Sequence, residues 1–192
     1  MRQPRYFQPN SYYHILLRGN NQDIFLGQWD YSKFIAGLDK YSKKFSITIL
    51  VFALMPNHVH LLLRQDSELP VSKFMQVLTT SYVVYFNLKN HRKGHLLENR
   101  FKHIEITTDD YLVHLSRYIH LNPSSSKIVS RPEEYNWTSY RHYLGSNTLK
   151  FVDKETILNY FSSKNAVADY KSFVDSRIKY QQEISLQKLI LE

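Results

Sequence analysis

The chain has 192 residues, of which 43% are hydrophobic, and 25 Lys and Arg against 17 Asp and Glu give it a formal charge of +8. The length favours one domain with a substantial core, and the absence of cysteine excludes disulfides and thiolate metal sites. No apolar run approaches the roughly 20 residues of a membrane-spanning helix, and the N-terminus holds no signal-peptide core. We therefore expect a soluble protein of the cytoplasm with no membrane partner.

Basic and aromatic residues together characterise the composition, which includes 15 Tyr and 11 Phe. A positive surface attracts phosphate backbones, and aromatic rings can stack on bases. This combination favours a nucleic acid as the partner. The alternative at this point is that the charges are ordinary solvated surface and that the aromatic residues fill the core.

The first half of the chain alternates between strand and helix patterns. Side chains alternate in residues 11–19 and 100–107, whereas residues 31–44 and 71–90 carry apolar stripes at helical spacing. We expect Asp30 to cap the first helix. Residues 45–54 are apolar on both faces, which is typical of a central strand.

The order of these elements predicts the fold. After residues 54–64, which form a further strand behind a tight turn, the order is strand, helix, strand, strand, helix, strand. This is the ferredoxin-like split βαβ arrangement of the α+β class, with a four-stranded antiparallel sheet. The signal Thr107-Thr108-Asp109-Asp110 then starts a helix, which we expect to stop at Asn122 because Pro123 disfavours helical geometry there. Residues 154–162 and 167–183 read as two more helices.

The stretch LMPNHVHLLLR, residues 54–64, carries two histidines at strand spacing. Pro56 and Asn57 signal a turn, and His58 and His60 share one face of the strand because side chains alternate along it. Two imidazoles on a rigid strand are half of a metal site. Two buried, hydrogen-bonded histidines would give the same pattern, so the other half must be found elsewhere.

The helix after residue 110 offers that second half. Tyr118 and Asn122 are one turn apart, on a face that also carries Tyr111 and His114. If this face packs across the histidines, two imidazoles, an amide oxygen and a phenol meet. Neutral ligands would leave a divalent cation its full charge to polarise a phosphate oxygen, and Tyr118 would attack the phosphorus. The pattern indicates phosphodiester cleavage, in which His114 is a base, a DNA contact or a surface histidine.

These motifs resemble a known family. His58-Val59-His60 fits the histidine–hydrophobic–histidine (HUH) pattern, and YIHLNP at residues 118–123 fits the Tyr-x-x-x-Asn-Pro signature of single-tyrosine HUH transposases. Other blocks occur in the same order, namely YHI and RGN within residues 13–20, GH and RFK within 94–102, and WTSYR at 137–141. The chain is similar to the REP-associated tyrosine transposases, which recognise repetitive extragenic palindromes.

The resemblance implies a reaction and roles for four residues. His58 and His60 would be metal ligands, and Asn122 would be the third ligand where relatives carry glutamine. Tyr118 would be the nucleophile that forms a 5′-phosphotyrosine and leaves a 3′-hydroxyl. The cofactor would be Mg²⁺ or Mn²⁺, and the enzyme would nick and rejoin single-stranded DNA beside a hairpin in a bacterial-type cytoplasm.

The resemblance also divides the chain, and the strand ends offer candidates for DNA contacts. Residues 1–145 would form the catalytic domain, and residues 146–192 a helical C-terminal extension packed on it, in a monomer or a homodimer. Four residues near strand ends are candidates for DNA contacts, although solvated surface groups would look the same. They are Arg18, Asn20, Arg100 and Lys102.

Two other functions fit parts of the pattern. A DNA hairpin-binding protein could keep the fold without the activity, although the intact set of His58, His60 and Tyr118 argues against such decay. A nucleotide-hydrolysing histidine-triad enzyme would need a third alternate histidine, where this chain has Leu62.

Overall fold

The computed structural model describes residues 6–162 and 164–180. The strands are β1 (Tyr12–Arg18), β2 (Ile47–Met55), β3 (His58–Gln65) and β4 (Lys102–Ile106). The helices are α1 (Gln28–Phe45), α2 (Val71–Lys89), α3 (Asp109–Ser125), α4 (Tyr140–Tyr143), α5 (Glu155–Leu158) and α6 (Ala166–Asp175). Within the described part of the chain, no helix has both the length and the apolar character needed to cross a bilayer.

The four strands form one antiparallel sheet in the order β2-β3-β1-β4. This is the order of a split βαβ fold, and the predicted ferredoxin-like arrangement is confirmed. Right-handed crossovers place α1 and α2 together on one face of the sheet, where Tyr13, Ile15 and Leu17 of β1 are buried. Helix α3 lies against β2 and β3 on the other face.

Strand β2 is an edge strand, so the prediction of a central position was wrong. Its outer edge is covered by later segments of the chain and not by a further strand of the sheet. The amide of Leu54 donates to the Trp137 carbonyl at 2.9 Å, and the amide of Ser139 donates to the Phe52 carbonyl at 3.1 Å. Helix α1 packs on one face of β2 and α3 on the other, so β2 is apolar on both faces although it lies at the edge, which explains the misleading pattern.

Helix α1 begins before the predicted N-cap, because Gly27 takes that position and Asp30 lies inside the first turn. The Asp30 side chain is fully buried. Its carboxylate accepts a hydrogen bond from the Leu26 amide at 2.9 Å and pairs with the Lys89 ammonium at 2.6 Å. Asp30 therefore joins the start of α1 to the end of α2, a contact that the local sequence does not reveal.

Helix α3 continues through Pro123, where the sequence predicted an end at Asn122. It closes after Ser125, where Lys127 adopts a left-handed conformation with φ of 57°. The amide of Ile128 then donates to the Pro123 carbonyl at 3.0 Å, as in a Schellman ending. Asn122 therefore lies inside the helix, three residues before its last residue, Ser125.

Of the two predicted C-terminal helices, the first is shorter than predicted, and the second is interrupted after Asp175 and helical again at residues 178–180. Helix α5 occupies part of residues 154–162, and α6 ends at Asp175, while residues 181–183 of the predicted last helix lie outside the described residues. The buried Tyr170 hydroxyl of α6 lies 2.7 Å from His120 Nδ1 and 3.1 Å from Ser116 Oγ, both on α3. Helix α6 of the C-terminal segment therefore packs against α3. The predicted domain boundary at residue 145 stays a prediction.

Candidate active site

Two neighbouring strands gather polar side chains on the face of the sheet that carries α3. The Cα partners of His58 and His60 on β1 are Arg18 and Leu16. His14 lies two residues before Leu16 on β1 and on the same face of the sheet, so it is diagonally opposite His60. The sheet register therefore fixes three histidines and one arginine side by side.

The side chain of Asn122 contacts both imidazoles of β3. Its Oδ1 atom lies 3.2 Å from Nε2 of His58, and its Nδ2 atom lies 3.4 Å from Nε2 of His60. Asn122 is 8% exposed and His60 is 4% exposed. The structure thus brings together the three side chains that the sequence singled out as metal ligands.

Tyr118 lies beside this group, one helical turn before Asn122. Its ring centroid is 5.7 Å from that of His60, with the two planes at 88°. The side chain remains 42% exposed, so a large substrate can reach the phenol. His114, one turn further back, is engaged on its own helix, with Nδ1 2.7 Å from the Arg117 guanidinium and Nε2 3.3 Å from the Asp110 carboxylate.

The histidines of the site are held in their neutral form. Burial lowers the pKa of His14 to about 4 and also lowers the pKa of His58. Burial lowers the pKa of His60 well below its usual value, and the nearby His58, His14 and Arg18 lower it further. A neutral imidazole keeps a free lone pair, which is the form that binds a metal ion.

The hydrogen bonds of His58 leave room for a cation. Its Nδ1 lies 2.7 Å from Oδ1 of Asn57 and its Nε2 lies 3.2 Å from Oδ1 of Asn122, and both oxygens can only accept. We place the single N–H of the neutral ring at Nδ1, because that contact is the shorter of the two. His58 Nε2 and Asn122 Oδ1 are then two acceptors 3.2 Å apart. Imidazole nitrogen and amide oxygen are suitable ligands for Mn²⁺, and oxygen for Mg²⁺, so the residues fit such an ion.

Few side chains of the site could act as metal ligands. Among residues 6–162 and 164–180, no group of three or more His, Cys, Asp or Glu is arranged to hold a metal ion. Any metal at this position would therefore be held by two imidazoles and one amide, all of them neutral.

The four candidate DNA contacts lie at different distances from the histidines. Arg18 is exposed and directly opposite His58 in the register of β1 and β3. Lys102 is exposed on the same face of β4, opposite Leu16. Asn20 and Arg100 are exposed in the loops that follow β1 and precede β4. The structure therefore brings Arg18 to the site and places Lys102 next to it.

Sequence reasoning missed two residues of the site, His14 and Asn57. The ring of His14 is nearly parallel to that of His60, with an interplanar angle of 14°, and its Nε2 lies 2.9 Å from His60 Nδ1. The predicted fold contained a signal for His14, because it makes β1 and β3 neighbours and alternation puts the two histidines on one face. Asn57 was interpreted only as a turn residue.

Residues 7–122 match the family model of the IS200-like transposases. The chain belongs to the IS200-like transposase family. The matched region runs from before β1 to Asn122 in α3, so it contains every residue of the site described above. Comparison of this IS200-like transposase with the curated proteins gives no significant match.

A solved structure shares the fold of this IS200-like transposase. The structure of the REP-associated tyrosine transposase bound to a REP hairpin matches with a TM-score of 0.64 and 15% identity, over 80% of this chain and 97% of that chain. A protein assigned as a transposase from Deinococcus radiodurans R1 matches with a TM-score of 0.44 and 16% identity, over 62% of this chain and 95% of that chain. The first match and the family model confirm the predicted resemblance and the α+β fold.

Proposed function

We propose that this IS200-like transposase cleaves and rejoins single-stranded DNA beside a hairpin, with Tyr118 as the nucleophile. The observation that carries the proposal is the position of Tyr118, edge-on to His60 and one turn from Asn122 within a single chain. The hairpin as partner is supported by the fold shared with a transposase that was solved bound to a REP hairpin.

The proposed cleavage is a transfer of a phosphoryl group to tyrosine. The phenolic oxygen of Tyr118 forms a bond to phosphorus and its proton is lost to solvent, while the bond from phosphorus to the 3′ oxygen breaks. The 3′ oxygen takes up a proton and leaves as a hydroxyl, and the 5′ side stays bound as a phosphotyrosine. A 3′-hydroxyl from another strand end can then attack the phosphotyrosine, and Tyr118 leaves. The ester is conserved, so joining needs no external energy source.

His58, His60 and Asn122 would hold a divalent cation, Mg²⁺ or Mn²⁺. Such an ion polarises a non-bridging phosphate oxygen and stabilises the charge that develops during transfer. The three side chains are neutral, so they leave the charge of the ion undiminished. Burial of both imidazoles keeps them in the neutral form.

The DNA strand would lie across the open half of the sheet face. Helix α3 covers β2 and β3, whereas Ile104 and Lys102 of β4 and Arg18 of β1 remain exposed on that face. We assign Arg18 to the phosphate next to the scissile bond, because this cation is exposed and directly opposite His58 in the register of β1 and β3. Lys102 would bind a neighbouring phosphate, with Asn20 and Arg100 in the flanking loops.

A single chain supplies every proposed participant. Tyr118, Asn122 and the two histidines meet without a partner subunit, which favours a monomer over a homodimer that exchanges its tyrosine helix. Residues 1–145 would form the catalytic domain. The extension, residues 146–192, would support α3 through the contacts of Tyr170.

A cleavage assay tests this function. A pool of DNA hairpins with randomised single-stranded flanks is incubated with the protein and Mn²⁺, and the products are separated under denaturing conditions. We expect a shortened strand and a covalent protein–DNA band, both absent with Tyr118→Phe. The matched control is Tyr111→Phe, which alters an exposed tyrosine of the same helix and should cleave normally. Cleavage by Tyr118→Phe, or hairpin binding without any cleavage by the unaltered protein, would contradict the proposal.

A further inference from the structure

We infer that His14 and Asn57 are positioning residues, which fix the tautomers of His60 and His58 so that both Nε2 lone pairs are directed toward Asn122. The inference concerns hydrogen bonds in the metal-free protein. It rests on the proposed function only where it predicts the effect on metal affinity.

The hydrogen-bond pattern around His60 determines which of its nitrogens carries the hydrogen. Nδ2 of Asn122 can only donate, and it lies 3.4 Å from Nε2 of His60, so this nitrogen is an acceptor. The hydrogen of the neutral ring is therefore at Nδ1, 2.9 Å from Nε2 of His14. His14 accepts that hydrogen bond and carries its own hydrogen at Nδ1.

Asn57 does for His58 what His14 does for His60. Its Oδ1 lies 2.7 Å from His58 Nδ1, closer than the 3.2 Å between Asn122 Oδ1 and His58 Nε2, so the shorter contact holds the hydrogen at Nδ1. The backbone of the turn is itself fixed, because the Asn57 carbonyl accepts from Gly19 at 2.8 Å and the Pro56 carbonyl accepts from Ile24 at 2.7 Å. The Nδ1 atom of each ring thus has a hydrogen-bond acceptor, which comes from β1 for His60 and from the turn before β3 for His58.

These acceptors matter because the competing tautomer would block the site. In water the hydrogen of a neutral histidine resides mainly on Nε2. With its hydrogen there, the nitrogen that faces Asn122 would have no lone pair to offer a metal ion. A hydrogen-bond acceptor at Nδ1 reverses this preference. Loss of such a partner typically lowers metal affinity about 10- to 100-fold. Both acceptors here are neutral, so they orient the rings without adding negative charge to the site.

Long-range ¹H–¹⁵N correlation spectra of the metal-free protein test the tautomers directly. We expect the hydrogen of His60 on Nδ1 in the unaltered protein and in His14→Gln, whose amide oxygen can accept in place of Nε2. In His14→Phe, which keeps a ring but removes the acceptor, the signal should shift toward the Nε2–H form. An unaltered protein with the hydrogen on Nε2, or a His14→Phe spectrum identical to it, would overturn the inference.

Mn²⁺ titration provides the second readout. The His14→Phe variant should bind Mn²⁺ about 10- to 100-fold more weakly, His14→Gln should recover most of that loss, and Tyr12→Phe, on the same face of β1, should bind normally. If His14→Phe does not fold, Asn57→Leu against Asn57→Asp gives the same comparison at His58. Equal affinity in folded acceptor-free and acceptor-retaining variants would overturn the inference. Expected tautomers without any Mn²⁺ binding would support the positioning roles and contradict the proposed metal site.

Discussion

The ring of Tyr118 stands edge-on to the ring of His60, with their centroids 5.7 Å apart and their planes at 88°. The two residues belong to elements far apart in sequence, α3 and β3, and the contact exists because α3 packs across the histidine face of the sheet. Asn122 extends the contact by one turn and touches both imidazoles. The proposed nucleophile and the proposed neutral metal ligands therefore share one small volume.

Replacement of Asn122 tests its role as a ligand. Asn122→Leu removes the amide oxygen beside His58, and we expect cleavage in Mn²⁺ to fall by more than about 100-fold, since even outer partners of a metal site are worth 10- to 100-fold. Asn122→Asp keeps an oxygen at that position and should retain Mn²⁺ binding. Calorimetric titration and the cleavage assay give the two readouts. Unchanged Mn²⁺ affinity in a folded Asn122→Leu variant would exclude Asn122 as a ligand.

Salt dependence tests the proposed path of the DNA. Each phosphate contact releases counterions, so the logarithm of affinity should fall linearly with the logarithm of salt concentration. Arg18→Ala and Lys102→Ala should each reduce that slope by about 0.7–0.9. Lys33→Ala is the matched control, because Lys33 is exposed on α1 at the opposite face. Equal slopes for Arg18→Ala and Lys33→Ala would place the DNA elsewhere.

Gly19 tests how closely the end of β1 must approach the turn before β3. A Cβ atom at Gly19 would lie 2.2 Å from the Gln22 carbonyl oxygen and 3.3 Å from that of Asn57. We expect Gly19→Ala to lower the free energy of unfolding by about 1–3 kcal/mol, because backbone atoms have to move. At Gly27 a Cβ would meet nothing within 4 Å, so Gly27→Ala should cost less than about 1 kcal/mol. Equal urea midpoints for the two variants would contradict this account.

Patterns within one element predicted much of the fold and the site. Alternation placed His58 and His60 on one face, and helical spacing placed Tyr118 and Asn122 on one stripe. The order of strands and helices then predicted the split βαβ fold. That fold made β1 and β3 neighbours, so it also contained the information that His14 lies beside His60.

Contacts between distant parts of the chain explain the errors. Asp30 looks like an N-cap, yet its carboxylate pairs with Lys89, 59 residues away. Strand β2 looks central because α1 and α3 cover its two faces, while Trp137 and Ser139 cover its outer edge. Pro123 looks like a helix end, but α3 closes only when Lys127 turns left-handed. In the first two cases contacts between distant parts of the chain override a local preference, whereas α3 ends through hydrogen bonds among its own last residues.

Mass spectrometry of the protein–DNA adduct tests the central claim most directly. The protein is incubated with the hairpin pool and Mn²⁺, the bound DNA is trimmed with nuclease, and the remaining nucleotide is located on a proteolytic peptide. We predict a 5′-phosphate ester on Tyr118 and the loss of any modified peptide in Tyr118→Phe. A nucleotide attached to Tyr111 or to another residue, or cleavage that leaves no attached nucleotide, would contradict the account.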